Sequence, residues 1–305
     1  MKERQLMQVN SSIHSSIEDR IMSVVIYILL TLLMFATFYP FWNTVVISFN
    51  NGLDSSRGGL TFWPRQFTLD NYEVVIHNHQ FFKSLLTTVG RVVAGVCSSM
   101  FLTAMFAYAM SKRDLVGKKI YMTMTVVTMY FGGGLIPTYL VIKELHLVNT
   151  FFVLFVPFTI SVFNMIVFRS FFKELPIALE ESAKLDGANH FGILFKIYAP
   201  LSGPVLAAIS LFHAVFLWND WFNAGIYLTT EKWIPIQTYV MNLVNSNAAT
   251  AQMAALSGVS SGVGSVTSRS LQMATLIAAT LPIILVYPFL QKFFVKGVLI
   301  GSVKE

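Results

Sequence analysis

Charge is scarce in this chain. Only 12% of its 305 residues are Asp, Glu, Lys or Arg and 55% are hydrophobic, which excludes an ordinary soluble domain. Cysteine is nearly absent: Cys97 stands alone within an apolar run, so no disulfide framework can be drawn and packing is its expected role. The histidines supply no metal site, because His77 and His79 would face different sides of a helix and the others are scattered. No nucleophile, base and orienting group gather as catalysis requires, so no catalytic residues are assigned and the chain is not expected to be an enzyme. A Gly-x-x-x-x-Gly-Lys-Ser/Thr phosphate loop is also missing, so the chain cannot cradle and hydrolyse ATP by itself. Nucleic acid is not an expected partner, since no basic stripe or RNA motif accompanies the formal charge of +6.

What is present is long apolar sequence. Crossing a hydrocarbon core takes roughly 20 helical residues, and six runs approach that length: Met22 to Phe49, Ser84 to Met110, Ile120 to Ile142, Phe151 to Phe168, Val205 to about Ala224, and Leu271 to Leu290. They are apolar on every side instead of alternating, so helices, not barrel strands, satisfy their backbone. The expected fold is an all-α polytopic membrane protein with six transmembrane helices in the lipid bilayer. The first run follows a polar segment carrying both charge signs and precedes no small-residue cleavage pattern, so it is read as a retained span.

Basic residues near span ends set orientation, because Lys and Arg stay on the cytoplasmic side. With the amino terminus inside, fourteen of the 21 basic residues fall in cytoplasmic segments, among them Lys112, Arg113, Lys118, Lys119, Arg169 and Lys173. The organisation read this way is a cytoplasmic tail over 1–21, a six-helix transmembrane domain over 22–294, and a cytoplasmic tail over 295–305. Within it, 50–82 and 225–270 are external and 174–200 is a cytoplasmic loop. The segment Asn50 to Phe82 is expected to lie along the membrane surface, and the composition of 225–270, rich in Ala, Ser, Asn and Gly, allows a flexible linker.

One polar stretch, ALEESAKLDGANHFGILFKIYAP from Ala178 to Pro200, has internal order. Pro176 suits a first helical turn, Gly187 the left-handed position past a helix end, and Asn189 the cap of a second helix that Ala199-Pro200 would stop. Ala178, Ser182 and Leu185 share a stripe that another backbone could approach, while Glu180, Glu181 and Asp186 offer acceptors. The spacing resembles the cytoplasmic loop of binding-protein-dependent ABC importer permeases, Glu-Ala-Ala, three residues, Gly, nine residues, Ile, one residue, Leu-Pro. Glu181-Ser182-Ala183, Gly187, Ile197 and Ala199-Pro200 occupy those positions, with Ser182 and Ala199 departing from it.

The tracts YFGGGLIPTYLVIKELHLVNT, FRSFFKELP and YPFLQKFFVKGVLIGSVKE are similar to the carbohydrate-importer subfamily that contains the smaller maltose-transporter permease, and the glycine tract to its oligo-uronate branch. The resemblance implies a type I importer permease in the bacterial cytoplasmic membrane. Its implied partners are a second permease in a heterodimer, a dimeric ATP-binding subunit that carries the ATP and Mg, and an extracytoplasmic sugar-binding protein met by the second outer loop. This chain itself would hold no cofactor and no metal. The coupling loop would comprise Glu180, Glu181, Ser182, Ala183, Asp186, Gly187, Ala188, Ile197 and Pro200.

Residues for a substrate pathway are polar or flexible groups in or near spans: Tyr130, Gly133, Asn164, His213, Trp218, Asn219, Asp220 and Arg91. The bland readings are close packing for YFGGGLIP, and a span end with belt anchors for Trp218, Asn219, Asp220 and Trp221. Arg91, isolated in the second run, would snorkel to the interface, pair with a partner subunit, or attract an acidic sugar. The alternative function is an ion-coupled secondary transporter. Such proteins show internal repeats and a carboxylate near the midplane, and runs one, three, four and six hold no acidic residue. A membrane scaffold or receptor would leave the loop spacing unexplained.

Overall fold

The computed structural model describes residues 17–59, 62–257 and 266–302, with backbone alone for 247–257 and 287–302. Most of the expected amino-terminal tail, the last three residues and the small-residue stretch 258–265 lie outside the described residues. Within them the chain is helical, and extended pairing is limited to an isolated bridge between Asn50 and Phe67.

The first apolar run becomes α1, Ile17–Ser48, with Glu18 and Asp19 in the first turn, where carboxylates oppose the helix dipole. Its side chains are exposed as far as Phe41, an apolar surface that hydrocarbon or protein must cover. The following segment does not merely lie along a surface. It forms α2, Gly52–Ser56, and α3, Asp70–Ile76, and knots the end of α1 to the start of the last helix. Buried Asn71 donates to the carbonyls of Ser48 and Asn50, both at 3.0 Å, and its Oδ1 accepts from Ser270 at 2.8 Å.

The second run is α4, His79–Ser111, capped by Asn78, whose Oδ1 accepts from the Gln80 and Phe81 N–H groups at 2.9 and 3.2 Å. It is the central beam of the fold and packs against both helices that flank the polar loop. Cys97, expected to pack, lies on its exposed side.

The next two runs are broken where a single span each was expected, and the fifth follows a bend just ahead of its start. Ile120 to Ile142 divides into α5, Lys118–Tyr130, and α6, Leu135–Glu144, which meet at 115° across Phe131 to Gly134. Gly134 sits at φ +81°, a conformation that side chains resist, so the glycine tract is an elbow as well as a small-residue surface. Phe151 to Phe158 winds as short 3-10 turns, bent by 51° from α7, Val162–Glu174.

Beyond the polar loop come α8, Ile177–Leu185, and α9, His190–Ile193. A π-helical turn, Leu194–Tyr198, then leads into α10, Ala199–Leu201. Ala199-Pro200 therefore does not stop the second helix of the loop. The wider π turn sits just ahead of Pro200, where the ring clashes with regular winding and the N–H is missing. The stop comes at Ser202, after which α11, Gly203–Asn219, leaves at 85°.

The short α12, Phe222–Tyr227, leads to α13, Ile236–Ser257, which packs on α4 and on α14, Ser268–Ser302. A flexible linker is thus excluded for 236–257, which is helix. Three of these helices are long and apolar enough to cross a membrane, and counting each bent pair as one span gives up to six.

Close packing of α4 on α11 depends on Gly95. A Cβ there would stand 2.4 Å from Leu217 Cδ1 and 3.1 Å from Phe155 Cβ, and Leu217 is fully buried. At Gly90 it would meet only the Phe151 ring at 3.4 Å. Overpacking costs about 1–3 kcal/mol, against a helix-propensity gain of roughly 1 kcal/mol for Gly→Ala. Gly95→Ala is expected to lower the melting temperature in detergent, and Gly90→Ala to leave it unchanged or raise it.

Candidate functional site

The polar loop folds as a helical hairpin, α8 and α9, with both ends written in local chemistry. Pro176 stands at the N-cap, one residue ahead of the first turn expected for it. At the other end the Ala188 N–H donates to Ala183 O at 2.9 Å and the Gly187 N–H to Lys184 O at 3.0 Å. This is a Schellman closure, and it requires the left-handed φ of +80° that Gly187 adopts. Asn189 then opens α9, its Oδ1 accepting from the Gly192 N–H at 2.7 Å.

The inner side of the hairpin is fastened by one carboxylate. Glu180 Oε2 accepts from Lys112 Nζ at 2.5 Å and from the Tyr198 hydroxyl at 2.9 Å, and Oε1 accepts from Lys184 Nζ at 3.0 Å. Lys112 follows α4 directly, so the ion pair ties the hairpin to the beam, and Tyr198 ties it to the π turn. The Lys112 ammonium also lies over the Tyr108 and Tyr198 rings, 3.7 and 4.6 Å from their centroids. Around this polar knot, Ala183, Ile193 and Leu194 pack against Ala107, Met110, Phe168 and Phe172 of α4 and α7. Burial by itself would raise the Glu180 carboxyl, but the hydrogen bonds from Lys112, Lys184 and Tyr198 and the Lys112 charge outweigh it and hold the carboxyl at about 2.

Glu180 and Ala183 therefore serve the hairpin's own anchorage and do not present themselves outward. Ala188 and Ile197 are half-buried beside them, and Pro200 is exposed beyond the π turn. The outer side presents Ala178, Glu181, Ser182, Leu185, Asp186 and Gly187 to the surroundings, with Leu185 90% exposed, a large apolar side chain at the tip. Lys112, Tyr108 and Tyr198, which complete the anchor, were missed by sequence reading. Only the Glu180–Lys184 pair carried a local signal, its i,i+4 spacing.

The residues proposed for a substrate pathway do not form one site. Tyr130 is exposed at the end of α5 and Gly133 lies in the elbow, whereas Asn164 is buried in the first turn of α7. Trp218 is buried among Phe81, Val75 and Ile236, so it is no belt anchor, and Asn219 is exposed. His213 is buried beside Phe216 with Nε2 unpartnered among the described residues.

Arg91 is fully buried and internally satisfied. Its Nε donates to Leu154 O at 2.7 Å, Nη1 donates to Asp220 O at 2.9 Å, and Nη2 pairs with Asp220 Oδ2. Asp220 Oδ1 in turn accepts from Asn223 Nδ2 at 2.9 Å and from its N–H at 3.2 Å. Snorkelling, pairing with another subunit and attraction of an acidic sugar are all overturned, because the guanidinium is spent inside the chain, where it joins α4, the 3-10 turns and the α11–α12 junction.

Helices with an apolar exterior and a hairpin built on the importer-loop spacing point to a membrane transport subunit. Comparison with known proteins agrees, although no protein-family model matches the chain. It is 40% identical to the polygalacturonan/rhamnogalacturonan transport system permease protein YtcP of Bacillus subtilis, over 94% of this chain and 99% of that one. A bacterial ABC transporter involved in the import of the acidic polysaccharide alginate contains a chain of the same fold, at TM-score 0.83 and 30% identity. The match covers 92% of this chain and 98% of that one. A second similar chain, at TM-score 0.50 and 14% identity over 89% and 93%, comes from an alginate ABC transporter in complex with an alginate pentasaccharide-bound periplasmic protein. This chain belongs to the family of permease subunits of ABC sugar importers.

Two outcomes follow from the ionic anchors. Glu180 has a depressed carboxyl, so its stabilisation is complete above the ordinary value of 4.5 and is lost as pH falls from there toward about 2. Hydrogen-exchange protection of 177–198 is expected to persist at pH 5 and decline below 4.5, and Glu180→Gln to lower it at neutral pH and flatten that decline. Breaking a buried pair costs about 3–5 kcal/mol. Asp220→Leu or Arg91→Met alone should therefore sharply reduce folded protein in the membrane, and the two together should recover much of it.

Proposed function

We infer that this permease carries an oligosaccharide of the uronate-containing class across the bacterial cytoplasmic membrane, with α8 and α9 as its coupling element. Support for an acidic substrate comes from the relatives, since polygalacturonan and alginate are both polymers of uronic acids. The inference extends to six spans with both termini cytoplasmic, each bent pair counted as one span. It assigns a second permease as heterodimeric partner, a dimeric subunit that binds ATP and Mg, and an extracytoplasmic sugar-binding protein that delivers the ligand.

The observation that carries the coupling role is the two-sidedness of the hairpin. Its inner side is locked to α4 through Glu180, and its outer side offers Glu181, Ser182, Leu185 and Asp186 to another protein. A push on the tip cannot be absorbed by the hairpin alone. Through Lys112 it is transmitted to α4, and through Tyr198 to the helix that bends at Ser202 into α11. An ion-coupled secondary transporter would have no use for such a lever, and the same-family relatives weigh against it.

Gly187→Val tests this reading, because a β-branched side chain opposes a φ of +80° although open space surrounds the site. Uptake of sugar delivered by the binding protein should be lost, with normal abundance in the membrane. Glu181→Lys should reduce copurification of the ATP-binding subunit, or the stimulation of its ATPase by loaded binding protein. Normal uptake in the first variant and normal assembly and stimulation in the second would contradict a coupling hairpin.

A further inference from the structure

Two cavities flank the Glu180 anchor, and their linings differ in kind. The first, about 520 Å³, lies between the end of α4, the start of α5, the end of α7 and α8. Glu180 is engaged by Lys112 and Lys184. What remains on its walls is Arg113, Lys118 and Lys173 against Asp114 and Glu181, with Arg169 close behind. Lys118 is held in place by donation to the Ser111 and Lys112 carbonyls. Arg169 is likewise fixed by donation to Met110 O at 3.0 Å. Positive charge is thus in excess and partly immobilised.

The second cavity, about 400 Å³, is walled by Met105, Tyr108, Ala109, Leu115, Phe191 and Leu194. It shares Lys112, Asp114 and Lys184 with the first, so the two adjoin. A basic compartment adjoining an apolar one matches a molecule with an anionic head and a hydrocarbon tail. We propose that the joined cavities hold an anionic phospholipid, its phosphate against Arg113, Lys118 and Lys173 and an acyl chain along Met105, Leu115 and Leu194. Of the outward residues of the hairpin only Glu181 borders a cavity, the first, while Leu185 and Asp186 at the tip line neither, which favours a lipid over a docked protein at this place. The position of the cavities at the membrane face, and the cytoplasmic leaflet, rest on the topology inferred above. A lipid seated here would fill the space behind the anchor and brace the hairpin against α4 and α7.

The test uses the assembled importer in mild detergent, with retained lipid measured by native mass spectrometry after exchange into phosphatidylglycerol or phosphatidylcholine. Wild type should retain phosphatidylglycerol in preference, undisplaced by excess inorganic phosphate. The double variant Lys118→Gln, Lys173→Gln should weaken that retention about 25-fold, roughly fivefold for each charge, and leave phosphatidylcholine and the ATP-binding subunit unaffected. Leu115→Gln should weaken it through the apolar compartment without changing any phosphate binding. The proposal is overturned by equal retention of the two lipids, or by displacement with inorganic phosphate, which would mark a soluble-anion site. Release of the ATP-binding subunit with phosphatidylglycerol still bound would overturn it too, by marking a docking surface. Because subunit copurification and lipid retention are read separately, failure here is distinguishable from failure of the coupling hairpin.

Discussion

A carboxylate with three donors holds the polar hairpin of this permease to the helices behind it. Glu180 accepts from Lys112, Lys184 and Tyr198, each on a different piece of the loop region or the beam. Hydrogen bonds to charged groups contribute about 1.5–3 kcal/mol each, and the apolar seat beneath adds Ala183, Ile193 and Leu194 against α4 and α7. Without that fastening, the hairpin would be a polar appendage joined to the membrane helices only by its ends. With it, the hairpin and its outward residues are joined to α4 as one body.

A second ionic fastening lies about 30 Å farther along α4, taking 1.5 Å for each of the residues between Arg91 and Lys112. There Arg91 grips Asp220 and Leu154. The two acceptors, Glu180 and Asp220, bracket the broken helix that bends at Ser202, so this helix is pinned to α4 before and after its bend. In a chain with so few charges, these two fastenings place ionic groups where apolar packing alone would let helices slide. Gly95, between them, allows α4 and α11 to approach closely.

Local features were legible in the sequence and long-range ones were not. Gly187 past a helix end, Asn189 as a cap and the outward stripe of Ala178, Ser182 and Leu185 follow from chemistry within a few residues, and all three stand as read. The Lys112 partner of Glu180 and the Asp220 partner of Arg91 lie 68 and 129 residues away, a separation that periodicity cannot bridge. Arg91 looked isolated within its run because its counter-charge, Asp220, read as the end of another span. The bends within the third and fourth runs and just ahead of the fifth were hidden for a related reason: hydrophobicity reports that a segment is apolar, while Gly134 and the π turn before Pro200 decide whether it is straight. The 22-residue α13 emerged from a stretch whose small polar residues also suit a linker, because packing on α4 and α14 decided its state.

The central claim is that the hairpin and α4 move as one body. It is tested by double electron–electron resonance between spin labels at two exposed positions, Leu185 on the hairpin tip and Leu86 on α4, with Cys97→Ser removing the native thiol. In the assembled importer, the distance distribution should be narrow and unchanged between the nucleotide-free and ATP-bound states. When Glu180→Gln is added to the same doubly labelled protein, the distribution should broaden. A distance that shifts on ATP binding with Glu180 intact, or a distribution indifferent to that substitution, would contradict the account.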